Sequence, residues 1–223
     1  MKGAPLLALL HLCDSLFPLG GFAHSDGLEA ATTSGAIATA LDLRSWVDAC
    51  LMENLGRSEG PAVNLAWETF VDGRLDALTA LDAEVYALRP SSQARHASRT
   101  MGTRLMKTWR QIRPESGLSE AMGDMMLTLP VAFGVVCASA DIEKRASVEA
   151  FFYTRLAAIM SCAMRLMPVG QHEAHLLLAD SLARVPAIVD GVLTRGDQPA
   201  GFLPAFDLAV MSQQYVHSRL FRS

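Results

Sequence analysis

Two histidines three residues apart are the side chains in this sequence best suited to binding a metal ion. His172 and His175 follow the stretch Met-Pro-Val-Gly-Gln at the start of a predicted helix. Residues with this spacing share one helix face, so both imidazoles could contact one ion. Two neutral imidazoles without a third ligand suit a transiently held borderline metal such as nickel. A solvated or hydrogen-bonded histidine pair is the competing interpretation.

A glycine-containing loop near the N-terminus carries groups that could act in acid–base chemistry. Residues 14–29 read Asp-Ser-Leu-Phe-Pro-Leu-Gly-Gly-Phe-Ala-His-Ser-Asp-Gly-Leu-Glu. Pro18 restricts the backbone, and the two glycines that follow permit positive φ or a close approach of another segment. This pattern is compatible with a packed connection between two helices, or with a rigid loop that presents His24 and Glu29 to a partner.

Positive charge is concentrated in one predicted helix. Between Val85 and Pro114 there are seven arginines or lysines and no acid, so this segment carries +7 while the chain as a whole carries −4. The cations gather beside an apolar stripe on a helical wheel. They either pair with acids of the same chain or bind an anionic partner surface. The arc comprises Arg95, Arg99, Lys107, Arg110 and Arg113, and the stripe comprises Ala97, Met101, Leu105, Trp109 and Ile112.

Common self-contained catalytic motifs are absent from the sequence. A phosphate-binding loop needs a lysine between glycine and Ser or Thr, and none of the three lysines has those neighbours. There is also no G-x-S-x-G, H-E-x-x-H or dinucleotide-binding fingerprint. The four cysteines form no C-x-x-C pair, which favours buried free thiols in a reducing cytosol.

Apolar residues recur at helical spacing along the whole chain, which predicts an all-α fold. Hydrophobic residues make up 51% and charged residues 19%, as expected for a single globular domain of about ten helices. The longest charge-free stretch, 125–140, is too short for a membrane span of about 20 residues, so we expect no membrane segment. The predicted helices cover residues 5–15, 39–51, 61–73, 74–88, 91–113, 129–140, 147–166, 170–193 with a break or kink at Pro186, and 204–217.

The C-terminal residues are predicted to form a separate docking element. A stretch rich in Gly and Pro, 194–203, divides an all-helical body (1–195) from a linker, helix and tail (196–223). The tail ends in aromatics, leucine and arginine, which are typical interface residues. We expect this helix and tail to be flexible and to add little to the core, and a tail folded back on the core is the alternative.

Three separated motifs together resemble the UreF family of urease accessory proteins over nearly the whole chain. The first comprises Asp14, Pro18, Gly20, Gly21 and the run Ser25-x-Gly27-Leu28-Glu29. The second is Arg165-Leu-x-Pro-x-Gly-Gln171, and the third is Arg219-Leu-Phe-x-Ser223.

The resemblance implies an all-helical, non-enzymatic, usually dimeric adaptor that joins a UreD-type (UreH) scaffold to the UreG GTPase and helps load nickel into apo-urease, and the cysteine pattern predicts a cytoplasmic location. It implies that nickel is handled by the complex and that no cofactor is bound stably by this chain. It places Glu29, Arg165 and Gln171 on the GTPase side, and Tyr215, Arg219, Leu220, Phe221 and Ser223 on the scaffold side. Asp14, Pro18, Gly20, Gly21 and Gly27 then form a structural loop.

Two other functions are compatible with parts of the sequence. One is an independent enzyme that uses Asp14, His24 and Glu29 as acid–base groups. The other is a nucleic-acid binder that uses the basic helix, although no base-stacking aromatics accompany it. Neither alternative explains three motifs in the same order as in one family.

Because the phosphate-binding loop is absent, the purified chain is expected neither to bind nor to hydrolyse GTP. Isothermal titration calorimetry with GTP and Mg²⁺ measures this directly. A stoichiometric nucleotide site would contradict the prediction.

Overall fold

The centre of the molecule is an apolar helix that is enclosed by other helices. The computed structural model describes residues 5–21, 24–217 and 219–221. Every residue from Leu129 to Cys137 of this central helix is buried, as expected for a helix that is apolar on all sides. The other helices pack around it in one domain, so the predicted all-α, single-domain architecture is confirmed.

Eleven α-helices follow one another in the described part of the chain, and none of its residues lies in a β-strand. None of these helices has the length and apolar character needed to cross a bilayer. The helices are α1 (Pro5–Cys13), α2 (Leu28–Thr33), α3 (Ala40–Ala49), α4 (Gly60–Val71), α5 (Leu75–Ala87), α6 (Ser92–Ile112), α7 (Leu118–Met122), α8 (Leu129–Ser139), α9 (Lys144–Leu166), α10 (Gln171–Arg195) and α11 (Pro204–Ser212).

The central helix α8 packs against α4, α6 and α9. A side chain at Gly134 would place its Cβ 2.5 Å from the carbonyl oxygen of Val63, so glycine is required for the close approach of α4. On the α9 side, the rings of Phe133 and Phe151 meet edge to face with centroids 5.2 Å apart. Helix α10 packs on α9, and the short helix α2 is held between α9 and α11.

A π-helix, Cys50–Glu59, joins α3 directly to α4. The predicted break between residues 51 and 61 is therefore wrong, and the chain is helical from Ala40 to Val71. The segment after α10 runs along this π-helix. The guanidinium of Arg195 donates to the carbonyl oxygen of Gly56 at 3.2 Å, and the amide of Ala200 donates to that of Arg57 at 2.8 Å. These contacts hold the segment after α10 against the π-helix.

Helix α10 also differs from its prediction, because it continues through Pro186 to Arg195 without a break. Helix α7 was not predicted from the sequence. Its five residues are too few for helical periodicity to be visible.

Helix α6 buries its apolar stripe and pairs part of its basic arc inside the chain. All stripe residues except Ile112 are buried. Arg99 donates to the buried carboxylate of Asp82 at 2.5 Å, and Asp82 also accepts from the amide and hydroxyl of Thr128 at 2.6 and 2.7 Å. Arg95 donates to the carbonyl oxygen of Arg89 at 2.8 Å. Internal pairing therefore accounts for these members of the arc.

Substitution of Arg99 is expected to destabilise the fold, because Asp82 would become a buried charge without its ionic partner. The Arg99→Gln variant should lose about 3 kcal/mol of unfolding free energy, measured by urea denaturation. In the control variant Arg74→Gln, which breaks an exposed pair with Asp72, the loss should stay below about 1 kcal/mol. Equal losses in the two variants would contradict a structural role for the Arg99–Asp82 pair.

Candidate functional site

The C-terminal tail returns to α2 and binds the carboxylate of Glu29. Glu29 is only 2% exposed. The backbone amides of Leu220 and Phe221 donate to its two oxygens at 2.5 and 3.3 Å. The side-chain amide of Gln213 donates to the same carboxylate and accepts from the amide of Ala30 at 3.1 Å. The carboxylate is thus satisfied by a segment almost 200 residues away in the sequence.

Phe221 is the hydrophobic anchor of this contact. Its side chain is 3% exposed and belongs to the main hydrophobic core. The guanidinium carbon of Arg165 lies 4.3 Å from the centroid of its ring, which is a cation–π contact. The expectation that Phe221 adds little to the core is therefore wrong. We call Glu29, Arg165, Gln213, Leu220 and Phe221 the tail site.

The tail site brings together residues that the family resemblance assigns to two different partner surfaces. Glu29 and Arg165 were placed on one side and Phe221 on the other, yet they are direct neighbours. Gln171 is exposed at the first residue of α10. The predicted Ser223 lies outside the described residues.

The other predicted tail residues face solvent. Arg219 is exposed, and Tyr215 and Leu220 are 79% and 62% exposed. The tail therefore has two faces. One face closes over Glu29, and the other presents an aromatic ring, an aliphatic side chain and a guanidinium outward.

The position of Glu29 depends on the turn before α2. Gly27 caps this helix with φ 83°, in the left-handed region that favours glycine. A Cβ at Gly27 would lie 2.7 Å from the backbone nitrogen of Val210 in α11. Glycine at this position therefore permits both the turn and the contact with the C-terminal helix.

The other residues of the predicted structural loop lie between α1 and α2. Gly20 has φ 77°, and a Cβ there would lie 2.4 Å from the guanidinium of Arg104. The carboxylate of Asp14 accepts from the amide of Leu16 at 2.6 Å. Pro18 is exposed, and Gly21 has open space where a side chain would be.

A buried ionic network binds the turn before α2 to helix α9. The guanidinium of Arg155 in α9 donates to Asp26, and at 3.2 Å to Glu59 at the end of the π-helix. Arg89 pairs with the other oxygen of Glu59. Burial by itself would raise the pKa of Asp26, but the charges of Arg155 and Arg89 outweigh it, so that the pKa lies below its ordinary value. Asp26 thus stays ionised, and its ion pair with Arg155 fixes the turn against α9.

Sequence reasoning missed Arg155 and Gln213. Arg155 carries a detectable signal, because Phe151 and Ile159 at positions i−4 and i+4 place it on an apolar face of α9. An arginine on such a face predicts a buried ion pair without naming its partner. Gln213 carries no comparable signal in the sequence.

An apolar groove of about 480 Å³ lies beside the tail site, between α2, α3 and α11. Its walls include Ala30, Ile37, Trp46 and Ala209. Leu208 of α11 also lines the groove and is 64% exposed, and Met211 of the same helix is exposed as well. The C-terminal helix therefore forms one wall of the groove and leaves apolar side chains exposed.

The sequence is similar to those of known proteins. The UreF family profile matches residues 37–182, more than half of the chain. The chain belongs to the UreF family.

The urease accessory protein UreF of Rhodopseudomonas palustris (strain HaA2) is 31% identical over 225 residues, which cover 100% of this chain and 95% of that protein. The corresponding protein of Lachnoclostridium phytofermentans is 29% identical over 224 residues, with 98% of each chain covered. That of Actinobacillus pleuropneumoniae is 28% identical over 222 residues, covering 97% and 98%. The chain is thus a urease accessory protein of the UreF family.

In this UreF-family chain, the groups required by an acid–base mechanism lie in different environments. Glu29 is enclosed with both oxygens engaged by the tail, whereas Asp14 is exposed in the loop after α1.

The thiol of Cys162 donates to the carbonyl oxygen of His24 at 3.4 Å, and burial raises the pKa of this cysteine to about 12. Cys162 is therefore a neutral thiol at physiological pH rather than a nucleophile.

The two predicted metal ligands of this UreF-family chain, His172 and His175, are exposed on the first turns of α10. Within the described ranges, no group of three or more His, Cys, Asp or Glu side chains is placed to hold a metal ion. The histidine pair therefore offers two ligands at most to an approaching ion.

Removing the charge of Glu29 is expected to release the tail. In Glu29→Gln one carboxylate oxygen becomes an amide, which cannot accept from the donors around it. We expect a stability loss of about 1–3 kcal/mol and faster hydrogen exchange at the amides of Leu220 and Phe221. The control Glu84→Gln changes an exposed residue of α5 and should leave both quantities unchanged. Unaltered exchange in Glu29→Gln would show that Glu29 does not hold the tail.

Proposed function

We propose that this chain is an adaptor in urease maturation that joins a UreD-type (UreH) scaffold to the UreG GTPase during nickel insertion into apo-urease. Membership of the UreF family is the observation that carries this proposal. The tail site supports it, because a structural contact and a set of outward apolar side chains occur on the same segment.

The scaffold is proposed to bind the outer face of the C-terminal segment. Tyr215 and Leu220 supply exposed apolar surface, and Leu208 and Met211 extend that surface along α11. Arg219 adds a guanidinium at its edge. Tyrosine and arginine are among the side chains that contribute most to binding energy at protein interfaces, and the leucine and methionine side chains add apolar area that binding can bury.

The GTPase is proposed to bind near Arg165 and Gln171, which are both exposed. Glu29 contributes indirectly in this proposal, because its carboxylate is enclosed and holds the tail against Arg165. The chain itself performs no catalytic step and leaves GTP hydrolysis to its partner.

Nickel is proposed to be the cargo of the complex, and His172 and His175 add no more than weak contacts with it. We propose that the chain forms a homodimer, since α1 exposes an apolar face with Leu6, Leu7 and Leu10 that a second copy could cover. The free cysteines fit a reducing cytoplasm.

Reconstitution tests the adaptor function. Urease activation is measured with purified apo-urease, scaffold, GTPase, GTP and nickel, with and without this chain. Activation that depends on the chain supports the proposal, and equal activation in its absence contradicts it.

Removing the outward side chains of the tail should weaken capture of the scaffold without unfolding the chain. The double variant Tyr215→Ser/Leu220→Ser is expected to lose about tenfold to a hundredfold in affinity, measured by calorimetry, because two exposed side chains lose their burial on binding. Its melting temperature should remain close to that of the wild type.

The control is Leu176→Ser, which removes a 54% exposed leucine from α10. It should leave affinity unchanged. An equal loss in the control, or full affinity in the double variant, would contradict docking through the tail. Substitution is preferred to deletion of the tail, because deletion would also leave the buried Glu29 without its partners.

A further inference from the structure

A small pocket lies between the π-helix, the end of α5 and the segment that leads into α11. Its volume is about 50 Å³. One water molecule needs about 10–15 Å³, so the pocket has room for the head group of one side chain. We call it the Asp207 pocket. The residues that line it include Asn54, Leu88, Arg89, Phe202, Phe206 and Asp207.

Asp207 is the charge in this pocket that has no partner. In the part of the chain that the structure describes, its half-buried carboxylate forms no ion pair and accepts no hydrogen bond. Burial raises the pKa of Asp207, and no neighbouring cation lowers it. The carboxylate has thus lost part of its hydration without receiving a countercharge. A cation that enters the pocket would supply one.

The other charges that line the pocket are already matched. The guanidinium groups of Arg89 and Arg155 are balanced by the carboxylates of Glu59 and Asp26. Glu53 pairs with an arginine 3.3 Å away, one turn further along the π-helix. The unmatched charge of the pocket is therefore a single negative one, which favours a cationic occupant.

Two phenylalanines make the pocket suitable for a guanidinium group. Phe202 is 79% exposed, so an occupant can reach it from solvent. The ring of Phe206 is held by that of Trp46, with centroids 5.2 Å apart. A guanidinium is planar, so it can stack on an aromatic ring while its N–H donors bind a carboxylate. The ammonium group of lysine is more strongly hydrated and lacks this planar fork, so an arginine side chain fits better.

The walls of the pocket are held in place by contacts within the chain. The amide of Ala200 donates to the carbonyl oxygen of Arg57 at 2.8 Å, which holds the segment before Phe202 on the π-helix. The amide of Asp207 donates to the carbonyl oxygen of Leu203 at 2.9 Å, in the first turn of α11. A pocket that is pre-organised in this way loses little freedom on binding.

We infer that the Asp207 pocket binds an arginine side chain of the scaffold. This inference rests on the proposed function for the identity of the partner. Asp207 and Met211 are four residues apart in α11 and share one face of that helix. The pocket is therefore continuous with the surface proposed for the scaffold. An arginine held there would fix the position of the scaffold along α11, because an ion pair is more specific in geometry than apolar contact.

Calorimetry with the purified scaffold tests this inference. The variant Asp207→Asn keeps the size of the side chain and removes its charge. We expect its affinity for the scaffold to fall by about tenfold or more, because a charge-assisted hydrogen bond is lost. The control Asp76→Asn makes the same change at an exposed residue in the first turn of α5. It should alter the affinity by less than about twofold. If Asp207→Asn fails to fold, Phe202→Ser removes an exposed ring and should weaken binding in the same direction.

A double-mutant cycle identifies the arginine. One exposed arginine of the scaffold, changed to glutamine, should weaken binding to the wild-type chain by a similar factor. The same change should have almost no further effect on binding to Asp207→Asn. Lysine in place of that arginine should recover only part of the affinity. Additive losses for every exposed arginine of the scaffold would overturn the inference.

The outcomes separate this inference from the proposed function. If the wild type does not bind the scaffold, the adaptor function is wrong and the inference falls with it. If the wild type binds and Asp207→Asn binds equally well, the adaptor function stands and the inference is overturned. It is also overturned if Asp207→Asn leaves scaffold affinity unchanged but weakens binding of the GTPase or converts a dimer into a monomer, since the occupant would then belong to another chain.

Discussion

Pairing of buried carboxylates is the constraint on which much of this structure depends. A carboxylate that is withdrawn from water must receive hydrogen bonds or a countercharge, or the folded state becomes unfavourable. Glu29, Glu59 and Asp82 are all buried, and each is bound by groups from distant parts of the chain. Glu29 holds the C-terminal tail, Glu59 joins the π-helix to α9, and Asp82 joins α5 to α6. Apolar packing forms the core, but these contacts determine which segments lie against each other at its edges.

The C-terminal tail shows how one segment can contribute to both the fold and the recognition of a partner. Its inner side consists of backbone amides and Phe221, which satisfy Glu29 and fill space in the core. Its outer side consists of Tyr215 and Leu220, which pack against nothing large enough to bury them. Any partner that binds the outer side therefore also acts on a segment attached to α2 and to Arg165. Because the same segment binds the partner and holds Glu29, partner binding on the outer side and the stability of the tail are thermodynamically linked.

Helix α6 divides its positive charges between structure and surface. Arg99 lies where α5 approaches, and its charge is matched by Asp82. Arg104 and Lys107 are exposed residues of the same helix. The division follows from the orientation of each residue on the helix relative to its neighbours, since all of these residues belong to one uninterrupted basic segment. Net charge along the sequence therefore indicated a basic helix without distinguishing its structural cations from its exposed ones.

The sequence by itself determined the all-α class, most helix positions and the family, because helical periodicity and short motifs are local properties of the chain. It also located Glu29, Arg165 and Phe221 as residues of interest through those motifs. Only the tertiary structure decided that these residues meet, that Arg155 joins Asp26 to Glu59, and that a π-helix replaces the expected break after Leu51. Each of these results depends on contacts between residues far apart in the chain. No local pattern encodes which buried donor will reach which carboxylate, because that choice is made by the packing of helices whose relative positions the periodicity leaves open.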